Sequence, residues 1–148
     1  MQAHELTPNQ SYVIRFLRNE DVFETLTQFC AEKGIGNAAF SAIGAVKDVK
    51  LGYYDLATKQ YGSKLYEDDH EVASMTGNVA LVDGKPFLHI HAVLSGVVPG
   101  SENACVGGHV FAATVAVTLE VHMTAFNEPM TRTLDEEIGL KLLDCGRS

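Results

Sequence analysis

No Cys-x-x-Cys pair, no cluster of basic residues and no apolar run of membrane-spanning length occurs in these 148 residues, and each absence removes a class of function. The 3 cysteines, Cys30, Cys105 and Cys145, are widely spaced and odd in number, which argues against a disulfide framework and for a reducing compartment. Lysine and arginine total 11 against 19 acidic residues, giving a net charge of −8, and they are scattered from Arg15 to Arg147. Nucleic-acid binders draw non-specific affinity from neutralised phosphates, so charge alone makes nucleic acid an unexpected partner. The opening Met1-Gln2-Ala3-His4-Glu5-Leu6-Thr7-Pro8 has neither the charged nor the apolar region of a leader, so a soluble, cytoplasmic protein is expected. No repeat, low-complexity tract or linker is visible, and the length suits a single domain over 1–148, with its core at about 11–126.

What is present is mostly strand signal. Ser11 to Leu17 alternates Tyr12, Ile14 and Phe16 with Val13, Arg15 and Leu17, which predicts a first strand. Asn19-Glu20-Asp21 supplies N-cap chemistry for a helix over Val22 to Lys33, stopped by Gly34, with Val22, Phe23, Leu26, Phe29 and Cys30 forming a core stripe. Asn37 to Val46, Val49 to Asp55 and Lys59 to Tyr61 read as consecutive strands with a turn near Thr58. Glu71 to Val82 and Phe87 to Leu94 flank Asp83-Gly84, a hairpin signal. A loop with Gly96, Pro99 and Gly100 leads to a long strand from His109 through Phe126. Thr133 to Leu143 is expected to close the chain as a short amphipathic helix or tail. The expected class is α+β, one antiparallel sheet with one main helix and short flanking helices.

Within the strand Phe87 to Leu94, His89 and His91 project to one side while Leu88, Ile90 and Ala92 take the other. Such a pair alone also fits solvated or hydrogen-bonded histidines. His109, at the start of the next long strand, supplies a third imidazole. Three neutral imidazoles with an open fourth position are a ligand set for a divalent metal such as zinc, though nickel, copper or iron would also accept them. Around this set stand weaker candidates. Glu71, with Glu120 behind it, is the expected proton-handling partner, because a carboxylate is less usual in a β-type run. Cys105, four residues before His109, could add a sulfur ligand, and Tyr53 and Tyr54 could line a pocket. His4, His70 and His122 have no spacing argument. Gly107-Gly108 is not a phosphate loop: it lacks the six-residue glycine fingerprint and a following Lys-Ser/Thr, and a strand follows it. Glycine there is expected to let the backbone turn or approach another segment closely.

Gly36-Asn37-Ala38-Ala39-Phe40-Ser41-Ala42-Ile43-Gly44-Ala45-Val46, Leu51-Gly52-Tyr53-Tyr54-Asp55, Glu71 through Gly77-Asn78-Val79-Ala80, His89-Ile90-His91 and Gly107-Gly108-His109 together resemble the plants-and-prokaryotes-conserved (PPC) domain. The resemblance runs from the first strand to about Phe126. It implies a compact antiparallel sheet with flanking helices, a homotrimer, and the three histidines grouped at a metal site near a subunit interface. Plant members join this domain to an Arg-Gly-Arg-Pro hook for the minor groove, and this chain contains no Arg-Gly-Arg. The cupin pattern fits less well, since Ala92-Val93-Leu94-Ser95-Gly96 lacks the glutamate it needs after the histidine pair.

Two functions of different kinds are compatible with these residues. One is a small-ligand binder or enzyme built on a divalent metal held by His89, His91 and His109. The other is a non-catalytic trimeric assembly module, in which the histidines are structural or bind metal to hold the subunits, and whose surface, in a chain 46% hydrophobic, recruits other proteins or, less readily, nucleic acid.

Overall fold

Alternating buried and exposed side chains turn most of this chain into strand. The computed structural model describes residues 3–96 and 105–146. In chain order the elements are β1 (Pro8–Phe16), α1 (Val22–Lys33), β2 (Ala38–Asp55), β3 (Gln60–Tyr66), β4 (His70–Val82), β5 (Lys85–Gly96), β6 (Cys105–Phe126), β7 (Thr131–Asp135) and β8 (Leu140–Asp144). The loop expected around Pro99 and Gly100 lies outside the described residues.

β2 pairs with β6, β6 with β5, β5 with β4, and β4 again with β2, all antiparallel, so the centre of the sheet closes on itself. β1 and β3 extend it beside β6 and β2. Closure removes free edges from the central strands and gives them one inward face. Phe40, Val49, Met75, Val79, Ile90, Leu94, Val110 and Leu119 fill that face.

α1 forms where capping predicts it. The Asp21 carboxylate accepts a hydrogen bond from the Glu24 N–H at 2.8 Å, and Gly34 ends the helix in the left-handed region at φ 66°. Val22, Leu26 and Cys30, each four residues apart, are buried against the sheet. The helix packs on β5 and β6, which pair only over His91–Ser95 and Cys105–His109 and then separate. It closes the gap their separation leaves. Asp83 and Gly84 form the expected two-residue turn, both at positive φ (52° and 76°), as a primed hairpin turn requires. The turn near Thr58 is also present, held by the Asp55 carboxylate accepting from the Ala57 and Thr58 amides.

Three expectations are corrected. The segments Asn37 to Val46 and Val49 to Asp55 are not two strands but one 18-residue strand, β2, bent by register shifts near Gly44 and between Lys47 and Lys50. Inward positions pass from Ala38, Phe40 and Ala42 to Val49 and Leu51, so the bulges move the alternation by one residue. Thr133 to Leu143 is not a helix or tail: β7 and β8 form a hairpin with Asp135 opposite Leu140, and β7 meets β4 at Leu81 and Thr131. The Asp135 carboxylate accepts from the Ile138 amide, and Gly139 adopts φ 83°, so turn chemistry outweighs the helical spacing of Leu134, Ile138 and Leu142. Short flanking helices are absent among the described residues, where α1 is the one α-helix. No helix of the described residues is long and apolar enough to cross a membrane.

Candidate metal centre

The three histidines meet where β5 and β6 part. His91 and His109 are direct cross-strand partners, and His89 follows on the same face of β5. Leu88, Ile90 and Ala92 point into the core, so the histidine face is the outer one. One ring donor atom from each histidine falls within 4.8 Å of the others. The ring centroids are 5.0 Å (His89–His91), 5.1 Å (His89–His109) and 5.4 Å (His91–His109) apart.

Gly108 sets how closely β6 approaches β2 beside this site. A Cβ on Gly108 would meet the Gly52 carbonyl oxygen at 2.7 Å. The close-approach reading of the Gly107-Gly108 pair therefore holds.

The outer face is not open water. The β7–β8 hairpin folds alongside it, Tyr54 donates to the Ile138 carbonyl at 2.8 Å, and Lys59 reaches the Glu136 carbonyl at 3.2 Å. Between that hairpin, α1 and the histidines lies a cleft of about 580 Å³, walled by Phe23, Phe87, Phe111, Leu140 and Leu142, with His89, His109 and Arg132 on its lining. Tyr61 stacks near His109, centroids 5.4 Å apart, and Phe111 packs against both, 4.8 Å from His109 and 5.0 Å from Tyr61.

Arg132 crosses from β7 to His89. Its Nη2 donates to Asn78 Oδ1 at 2.7 Å and to His89 Nδ1 at 3.3 Å, and its Nη1 donates to the Lys141 carbonyl at 3.3 Å. The guanidinium stands 5.6 Å from the Phe87 ring centroid. A guanidinium cannot accept, so in this contact His89 Nδ1 is the acceptor and its proton sits on Nε2, facing His91 Nε2 at 3.2 Å. His109 Nδ1 is buried with no partner among the described residues.

Burial, then the Arg132 charge, then His109 and His91, hold the His89 ring down to about 4. Burial also lowers His109, helped by His91 and Arg132. Burial lowers Arg132 itself, opposed by Tyr61. Both histidines are therefore neutral at pH 7, the form that ligates metal. Zinc–nitrogen bonds of about 2.0–2.1 Å put tetrahedral ligand nitrogens roughly 3.3 Å apart, close to the His89–His91 Nε2 separation of 3.2 Å. The donor set, the neutrality of His89 and His109, and the orphaned His109 nitrogen fit a divalent ion. Ligation through His89 Nε2 would require the ring proton on Nδ1, and Arg132 would then lose that acceptor.

A stability consequence follows from the lowered His89. Chelator-treated protein is expected to lose stability as pH falls from 6.5 toward about 4, because the unfolded chain binds a proton that folded His89 refuses, and this contribution levels off below about 4. Denaturant midpoints across that window should show a shallower slope in His89→Gln. An unchanged slope contradicts the assignment.

The other sequence candidates lie elsewhere. Glu71 is exposed and opposite Ser95, four residues along β5 from His91, roughly 13 Å at strand rise. Cys105 is also opposite Ser95 and equally remote, so neither joins the cluster. Glu120 sits beside Arg15 and Ile43 at the far end of β6. Tyr53 is 69% exposed on β2, and Tyr54 braces the β7–β8 turn; the tyrosine lining the cleft is Tyr61. His70 is buried and bonded to the Asp68 carbonyl at 2.7 Å, while His122 is exposed on the outer face of β6. Sequence reasoning missed Arg132 and Tyr61. Alternation through Thr131, Arg132, Thr133 and Leu134 was the one available signal for Arg132.

A family model described as the Plants and Prokaryotes Conserved (PCC) domain matches residues 3–127. No curated protein sequence matches the chain. Among solved structures, a metal-containing protein of Archaeoglobus fulgidus is similar at 36% identity and TM-score 0.87, covering 96% of this chain and 98% of that one. A plant- and prokaryote-conserved protein of Pyrococcus horikoshii shares 28% identity at TM-score 0.87, with 97% of each chain covered. A candidate DNA-binding protein of Ralstonia eutropha shares 29% identity at TM-score 0.78, with 89% of each covered.

Proposed function

Because the chain belongs to the Plants and Prokaryotes Conserved domain family, we propose that it is a metal-binding protein whose His89, His91 and His109 hold one divalent ion, zinc in our reading, at the mouth of a small-ligand cleft. The observation that carries this reading is the convergence of three imidazole donors within 4.8 Å from two strands that separate at that point. Zinc suits three neutral imidazoles with an open position. When bound, such an ion supplies Lewis acidity, polarising a ligand oxygen and acidifying a coordinated water. The chain's own residues supply the rest: His89 and His109 stay neutral through burial, Phe111 and Tyr61 shield His109, and the β7–β8 hairpin limits water above the site. The relative from Archaeoglobus fulgidus, described as metal-containing, is in keeping with this reading.

Elemental analysis of untagged protein, purified without added metal or chelator, tests it. About one divalent ion per chain is expected, as for a single mononuclear site, and loss of that ion in His89→Ala/His91→Ala. A full complement of metal in that variant would sink the proposal.

A second reading, self-association as a homotrimer, has its own support. Val13 on β1, Ile43 on β2 and Val117 on β6 are 72%, 59% and 67% exposed on strands that pair side by side, apolar surface that further copies of the chain would cover. The metal and the trimer are compatible. Sedimentation of the same preparation at micromolar concentration is expected to give three times the 16.0 kDa chain mass, and a monomer overturns this reading. The net charge of −8 argues against direct DNA binding, whatever role related proteins have, and a cytoplasmic location remains our expectation.

A further inference from the structure

Arg132 is a cation without an anion. Its contacts in the structure are all neutral: an amide oxygen from Asn78, a backbone carbonyl from Lys141, a neutral imidazole and an aromatic face. Its Nε is buried and finds no hydrogen-bond partner among the described residues. The ion pair found among those residues is elsewhere, Lys141 with Asp83 at 3.1 Å, so the second basic side chain of the cleft already faces a carboxylate. Arg132 is half-buried, and even partial desolvation of a guanidinium without a counter-charge is unfavourable, a cost that an anionic ligand at this position would offset. His89 Nδ1, one of the three acceptors Arg132 uses, is the atom that must carry a proton when His89 ligates through Nε2, and the guanidinium then has a donor to spare.

The walls around this charge are apolar. Phe23, Phe87, Phe111, Leu140 and Leu142 enclose the cleft of about 580 Å³, a volume suited to a small organic molecule. A single uncompensated guanidinium matches a single negative charge, and its planar fork matches a carboxylate. A polyanion would meet one cation not already paired among the described residues and a mostly apolar lining, a poor environment for a second charge.

We infer that the cleft binds a small monocarboxylate with an apolar body, its carboxylate paired with Arg132 and turned toward the histidine centre, its body against the Phe23, Phe87 and Leu142 wall. This deepens the metal-centre reading and rests on it for the orientation, but the pairing with Arg132 is separately testable. Benzoate and hexanoate, with benzamide and hexanamide as uncharged matches, serve as probes in calorimetric titrations of protein as purified and after chelation, with the Arg132 Nε–H resonance followed by nitrogen-edited NMR.

In wild type, both carboxylates are expected to bind at least about tenfold more tightly than their amides, as charge-assisted pairing should give. Arg132→Gln is expected to abolish that preference, and Arg132→Lys, which preserves the charge but not the fork, to retain part of it. Equal binding of carboxylate to wild type and Arg132→Gln overturns the inference, as does no carboxylate binding to either form of wild type. If the purified protein carries no metal yet still prefers carboxylates through Arg132, the anion pairing stands and the metal reading alone fails.

Discussion

Alanine at His89, His91 or His109 singly is expected to weaken divalent-metal affinity by more than about a hundredfold. Loss of a partner one shell away from a metal already costs about 10- to 100-fold, and removing one of three direct protein ligands costs more. The three should behave alike, because each supplies one donor to the same cluster. His122→Ala is the matched control: it lies exposed on the outer face of β6, opposite Val13 and Ser41, and should leave metal content unchanged. His70→Ala is a poor control, since its buried ring bonds the Asp68 carbonyl and its loss disturbs folding for other reasons. Competition of each variant against a chromogenic chelator reads the affinities directly. If His109→Ala binds as tightly as wild type, the site is a two-histidine surface pair and the cross-strand geometry is irrelevant to it.

The largest expected effect on stability comes from Gly44→Ala. Gly44 sits at a bend of β2 with φ 145°, and an added Cβ would stand 2.1 Å from the Thr118 carbonyl oxygen and 2.9 Å from the Leu119 Cα. Both obstacles are backbone, so neither can rotate away. An unfavourable backbone conformation costs about 1–3 kcal/mol and overpacking about as much again, so a loss of about 3 kcal/mol or more is expected. Against a total of about 5–15 kcal/mol for a domain, that is a large share. Urea denaturation should show it as a lower midpoint. A change below about 1 kcal/mol would mean that β2 and β6 can separate at this bend.

These two sites also mark what the sequence discloses and what it hides. α1 and the β4–β5 turn were legible because their determinants are local: Asp21 and Gly34 cap the helix, and Asp83-Gly84 adopt the two positive φ angles that a tight hairpin needs. The single course of β2 was not, because its continuity depends on β4, β6 and β3 pairing with successive parts of it. Locally, Lys47-Asp48, with Asp48 at φ 50°, looks like a break between one strand ending at Val46 and another starting at Val49. The β7–β8 hairpin was hidden for a similar reason. Its attachment runs through Leu81 on β4, far away in sequence, while Leu134, Ile138 and Leu142 imitate a helical stripe.

In the metal centre, His89 and His91 declared themselves by period-2 spacing, and His109 by opening the next strand run; the register then proved to set His109 directly opposite His91. Glu71 stood out as a carboxylate in a β-type run and Cys105 as a thiol four residues before His109, yet strand geometry carries both about four residues up the sheet from the histidines, and both meet Ser95 instead. Arg132 carries no motif. It reaches His89 only because the terminal hairpin folds back over β5, which no local pattern announces.

X-ray absorption at the metal edge, on untagged protein purified without added metal or chelator, tests the three-histidine centre most directly. The expected spectrum shows about three imidazole nitrogens at roughly 2.0–2.1 Å with a lighter oxygen contribution, as for zinc in an open site. A sulfur shell near about 2.3 Å, or a metal edge too weak to measure in correctly folded protein, would contradict it.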